Sequence, residues 1–67
     1  MEFRLENEYI ELIKLLKVTG IAESGGVAKQ MVSDSEVEYN GVVDHRKRLK
    51  VRKGDLVKVN HQEIKIV

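Results

Sequence analysis

Arg46, Lys47, Arg48, Lys50, Arg52 and Lys53 are six of the chain's twelve lysines and arginines, and they fall in one stretch that reads HRKRLKVRKGD from His45 to Asp55, with no acid among them. Ammonium and guanidinium groups at that density create a local positive field, and the chemistry such a field performs is the attraction of phosphate. The other six basic residues share the rest of the chain with all eleven Asp and Glu, so a formal net charge of only +1 conceals a polarised molecule. The competing reading is a solvated loop that keeps the protein soluble, because short basic tracts often arise without a ligand.

Other chemistry is scarce. His45 and His61 are the only histidines, and neither stands in a recognisable pattern with a nucleophile or a partner acid, as general base catalysis would need. His45 reads as an exposed or RNA-contacting histidine, and His61 as a turn residue. Two histidines with no cysteine make a metal site an unfavoured reading. Gly25-Gly26 followed by Lys29 is too short for a Walker-type phosphate loop, and no convincing strand leads into it. We therefore expect no enzyme, no cofactor and no metal. Gly25 and Gly26 remain unusual in a first helical turn, where each costs up to about 1 kcal/mol against alanine in a helix interior. Either their bare amides admit a phosphate or another backbone at a helix N-terminus, or the turn packs tightly against a neighbouring helix.

The elements that must position these residues can be read from periodicity. Met1 to Leu5 alternates and suits a short edge strand. From Asn7, a suitable N-cap, Tyr9, Leu12, Ile13 and Leu16 follow helical spacing, with Ile10 and Leu15 widening the stripe and Gly20 as the stop. Ser24 caps a second helix that aligns Val27, Ala28, Met31 and Val32 on one face, with Lys29, Gln30 and Ser33 pointing elsewhere. Val37 and Tyr39 form a strand, and Asn40-Gly41 is a type I′ hairpin signal leading into Val42-Val43. Gly54-Asp55 marks a turn before the strands Leu56–Val59 and Glu63–Val67, which are joined through Asn60, His61 and Gln62. The expected fold is α+β, two N-terminal helices packed on a small, mostly antiparallel sheet, as one domain spanning residues 1–67. With 42% hydrophobic residues and no cysteine, the core must hold the fold without disulfides. No apolar run approaches the length of a membrane span or signal-peptide core, so we expect a cytoplasmic protein with no membrane partner.

Taken in order, Gly25-Gly26-Val27-Ala28-Lys29, then VEYNG at residues 37–41, DHRKRLK at 44–50 and KGDLVKV at 53–59 resemble the ribosomal protein S-four type RNA-binding domain, the αL motif. The resemblance covers roughly residues 9–60 and is strongest to the small stand-alone bacterial branch of the YbcJ and YaaA type. It implies an RNA-facing surface built from the second helix, the end of the first and the basic loop. Carried over by position, Lys17 ends the first helix, Ser24 caps the second, and Gly25, Gly26, Lys29 and Gln30 lie on its RNA side. Arg46, Lys47, Arg48, Lys50, Arg52 and Lys53 flank them, and Leu49 and Val51 point inward to anchor the tract. Many family members carry arginine directly after the capping serine, where this chain has Gly25, so one usual contact is absent.

The implied partner is structured RNA, rRNA or tRNA, and through it the ribosome, bound by a monomer. Sequence specificity should be modest, because exposed aromatics for base stacking are nearly absent: Phe3, Tyr9 and Tyr39 are the only aromatic residues and all fall on apolar-patterned positions. An adaptor that docks an acidic protein through the same basic face is the alternative.

Overall fold

Strand alternation in the C-terminal third organises the molecule. In the computed structural model, which describes residues 1–67, Leu56–Val59 and Gln62–Ile66 pair antiparallel with Val57 opposite Ile64, and Val57, Val59, Ile64 and Ile66 all turn to one buried face. Period-two alternation with one apolar face is how an antiparallel sheet covers a core on one side and meets water on the other.

Numbered along the chain, the elements are β1 (Glu2–Phe3), β2 (Ile10–Glu11), α1 (Leu12–Val18), α2 (Gly25–Ser33), β3 (Val37–Tyr39), β4 (Val42–Val43), β5 (Lys50–Val51), β6 (Leu56–Val59) and β7 (Gln62–Ile66). Five strands form one sheet in the order β1-β7-β6-β3-β4, and β2 with β5 makes a separate two-stranded ribbon. Only the β1–β7 pairing is parallel; every other pair is antiparallel. The core contains 15 buried residues, all hydrophobic. Leu12, Leu15 and Leu16 of α1 and Ala28 and Val32 of α2 supply the helical side, and Ile10, Leu49 and Val51 close it beneath the ribbon.

The expected α+β class with two helices and a mostly antiparallel sheet holds, but the helices are not N-terminal, because two strands precede them. The edge strand anticipated at residues 1–5 is β1, held at the sheet margin by Lys65 N–H to Met1 O (2.9 Å) and Val67 N–H to Phe3 O (2.9 Å). The first helix also starts later than its apolar spacing suggests. Ile10 and Glu11 pair with Val51 and Lys50, so their backbone serves a ribbon, and Asn7 caps nothing. Glu11 takes the N-cap position in extended conformation without a side-chain bond. The first-turn amides of α1 find tertiary acceptors instead, Leu12 N–H on Leu49 O (2.9 Å) and Ile13 N–H on Lys47 O (3.2 Å).

Elsewhere local signals hold. Ser24 caps α2 by accepting from Val27 N–H at 3.2 Å, and Gly20, just past the Thr19 C-cap of α1, stops that helix with φ +81°. Asn40 and Gly41 both have positive φ, 51° and 90°, between the paired residues Tyr39 and Val42, as a type I′ turn requires. The last hairpin is tighter than expected: Gln62 is already in β7, opposite Val59, leaving Asn60 and His61 as the loop.

Candidate nucleic-acid interface

The basic tract is a strap with its backbone tied down and its cations out. Lys47 and Leu49 give their carbonyls to the first turn of α1, Leu49 and Val51 insert into the core, and Arg46, Lys47, Arg48, Lys50, Arg52 and Lys53 are all exposed. Apolar and basic residues alternate here because the ribbon has a covered face and a wet one. At the strap's start, His45 Nε2 and Ser35 Oγ are 2.7 Å apart, which fastens the strap just beyond the C-terminal end of α2.

Two carboxylates fix its ends. Asp44 accepts from the Arg46 backbone at 2.9 Å and from its guanidinium in a fork, with Nη2 to Oδ2 at 2.7 Å. The Arg46 hydrogen bonds hold the Asp44 carboxyl below its ordinary range, and the same pairing raises Arg46. Arg46 is exposed but its charge is already shared, so Lys47, Arg48, Lys50, Arg52 and Lys53 are the cations without a side-chain ion pair. At the far end Asp55 accepts from the Tyr39 hydroxyl, from Arg52 N–H at 2.8 Å and from Asn40 Nδ2 at 3.3 Å. Burial alone would raise the Asp55 carboxyl, but these donors outweigh it and the group lies below its ordinary range. The Tyr39 hydroxyl is raised, chiefly by that hydrogen bond.

Sequence reasoning missed Tyr9. Its spacing places it in the buried stripe of the first helix, yet it precedes β2 and is 38% exposed, with Lys50 Nζ at 5.0 Å and Arg52 Cζ at 5.7 Å from its ring centroid. Such distances fit cation–π attraction. The signal that could have found it is the β2–β5 register, which puts Ile10 opposite Val51 and so brings the flanking Tyr9 and Arg52 to the same outer face. That register is not visible without the fold.

The α2 side of the predicted surface stands apart from the strap's start. The strap is fastened at the beginning of α1 and the end of α2, whereas Ser24, Gly25 and Gly26 begin α2 and Lys17 lies in the last turn of α1. The nine residues of α2 rise about 13 Å between these ends. Lys29 is exposed partway along, and Gln30 gives its amide to Asp34 Oδ1 at 2.9 Å. Of the two readings of the glycine pair, tight packing is excluded. A Cβ at Gly25 would meet nothing within 4 Å, and one at Gly26 only the Ser24 hydroxyl at 3.8 Å.

A two-helix, mostly antiparallel α+β unit carrying an exposed basic strap is the architecture of a small binding module. The S4 domain family matches residues 3–67. YbcJ of Escherichia coli, whose name assigns it provisionally to RNA binding, is 34% identical over 62 residues, 92% of this chain and 89% of YbcJ. A Bacillus subtilis protein, RlbA, named provisionally for ribosome maturation, is 36% identical over 55 residues, 82% of this chain and 78% of its own length. The solution structure of E. coli YbcJ, described as revealing an αL motif involved in RNA binding, superposes with a TM-score of 0.76 over 98% of this chain and 85% of that one. The chain belongs to the S4 domain family.

Proposed function

We propose that this protein is a non-catalytic module that binds structured RNA, rRNA or tRNA, in the ribosomal context suggested by its relatives' names. The observation that carries the reading is the strap: five cations with no side-chain ion pair stand on a backbone that the core and α1 hold rigid. With the backbone already fixed, binding has only side-chain freedom left to restrict, and contacts to phosphate and 2′-hydroxyl groups are the usual way folded RNA is recognised. Lys29, Lys17 and the open first turn of α2 extend the surface along the helix pair. Arg46 contributes less than its neighbours because Asp44 already holds its guanidinium.

The test is a triple variant, Lys29→Ala, Lys47→Ala and Arg48→Ala. All three side chains are exposed and make no hydrogen bond within the protein, so the melting temperature should stay within the small range of surface substitutions. Affinity for a structured rRNA or tRNA fragment, measured by titration, should fall by at least tenfold. Wild-type affinity in the triple variant would place the binding surface elsewhere. A wild-type protein that ignores RNA but captures an acidic protein through the strap would replace this reading with the adaptor.

A further inference from the structure

Beside Tyr9 lies an open groove of about 560 Å³ with an apolar wall of Phe3, Ile10 and Val18. Its lining carries Glu6, Glu8 and Glu11 against Arg4 and Lys14, so acids outnumber bases and the groove has none of the strap's concentrated positive field. The ring of Tyr9 thus stands at a boundary, with two cations against it and a partly apolar, slightly acidic groove next to it. One nucleotide has that same division, an anionic phosphate joined to a planar base with a π-face. The groove's size falls in the range of about 300–1,000 Å³ that small ligands occupy.

We propose that Tyr9 is a stacking platform for a single unpaired base, that the base projects toward the groove, and that Lys50 and Arg52 hold the phosphates flanking it. This rests on the RNA-binding reading and narrows it: the target carries a bulged or loop nucleotide beside the helix that the strap grips. Tyr9 is suited to the role by position as well as chemistry. Ile10 below it is buried in the core, which keeps the ring at the surface, and the cations draw up to the ring without covering the whole of it, since 38% of the residue remains exposed. Glu11 is opposite Lys50 in the ribbon register, and Glu6 and Glu8 share a shallow depression with Arg52 and Lys53, so acids border both cations without pairing with either.

Two RNAs test the proposal, a hairpin with one bulged nucleotide in its stem and the same hairpin fully paired. Tyr9→Leu removes the π-face and keeps an apolar side chain. It should weaken the bulged hairpin by about five- to a hundredfold, the range of one base–aromatic stack, and leave the paired hairpin and the salt dependence unchanged. Tyr9→Phe should bind both as wild type. The chain has no tryptophan, so Tyr9→Trp creates a single reporter whose fluorescence should be quenched by the bulged hairpin alone, a readout that does not depend on the stability of the leucine variant. Equal losses on both hairpins with a shallower salt slope would mean that Tyr9 only orients Lys50 and Arg52, and would overturn the proposal. So would wild-type binding by Tyr9→Leu together with an unquenched tryptophan, and in that case the RNA-binding reading would survive. Failure of the wild-type protein to bind either hairpin would sink both.

Discussion

Asp55 ties its own turn to the Tyr39–Asn40 hairpin: the Tyr39 hydroxyl, the Asn40 side-chain amide and the Arg52 backbone amide meet on its two oxygens. A carboxylate that accepts several donors is favoured in its charged form, and its folded-state pKa is depressed. The sign of the linkage follows. Because the folded value lies below the unfolded value of about 3.9, this carboxylate adds stability at neutral pH that is lost as pH falls through the folded value. Asp55→Asn should therefore melt below wild type at pH 7, by the order of 1 kcal/mol expected for a lost hydrogen bond. The difference between the two melting temperatures should shrink as pH is lowered below about 4. A gap that stays constant down to acid pH would remove Asp55 from the role of anchor. Its position beside Gly54, φ +93°, was legible in the sequence as a turn. Its distant partners Tyr39 and Asn40 were not, since Tyr39 reads locally as a strand residue facing the core and Asn40 as a turn residue.

At the scale of elements, the strap depends on two inward side chains between its cations. Leu49 is 9% exposed and Val51 fully buried, and both sit where the ribbon crosses the start of α1. Leu49→Ala should cost about 2–5 kcal/mol, the usual cost of truncating a buried leucine. A domain of this size holds roughly 3–10 kcal/mol in all, so the variant should melt far below wild type, and its loss of RNA binding should track the unfolded fraction. Binding lost at a temperature where the variant is fully folded would show that Leu49 does more than anchor. The inward alternation of Leu49 and Val51 was readable from the sequence. The replacement of an Asn7 cap by strap carbonyls was not, because the acceptors on Lys47 and Leu49 lie more than thirty positions from the amides they satisfy.

The molecule as a whole is electrically divided. The strap collects the cations while Glu6, Glu8 and Glu11 gather beside the groove, so a near-neutral net charge of +1 coexists with a strong local field. Each phosphate neutralised by the strap releases condensed counterions, so binding should weaken linearly in logarithmic salt with a slope of roughly 0.7–0.9 per contact. Full engagement of the strap's five free cations should give a slope of roughly −3.5 to −4.5. The Lys29, Lys47 and Arg48 triple variant should flatten it by roughly 2–3. Titrations between low and physiological salt check this, and a wild-type affinity indifferent to salt would contradict an electrostatic interface.

What the sequence determined by itself was whatever depends on neighbours within a few residues. The Ser24 cap needs only the amide of Val27, the Asn40-Gly41 turn needs two residues tolerant of positive φ, and the faces of β6 and β7 follow from alternation. The location of six cations in one stretch also belongs to the sequence alone. Tertiary structure decided where α1 begins, because the residues before Leu12 can satisfy helical spacing and strand pairing equally well, and only β5 breaks the tie. It also decided that Tyr9 meets Lys50 and Arg52. An apolar period states that a residue can be buried, and a basic run states that charge is present. Which ring stays at the surface and which cations gather against it is set by the register between distant strands, and that register has no local signature.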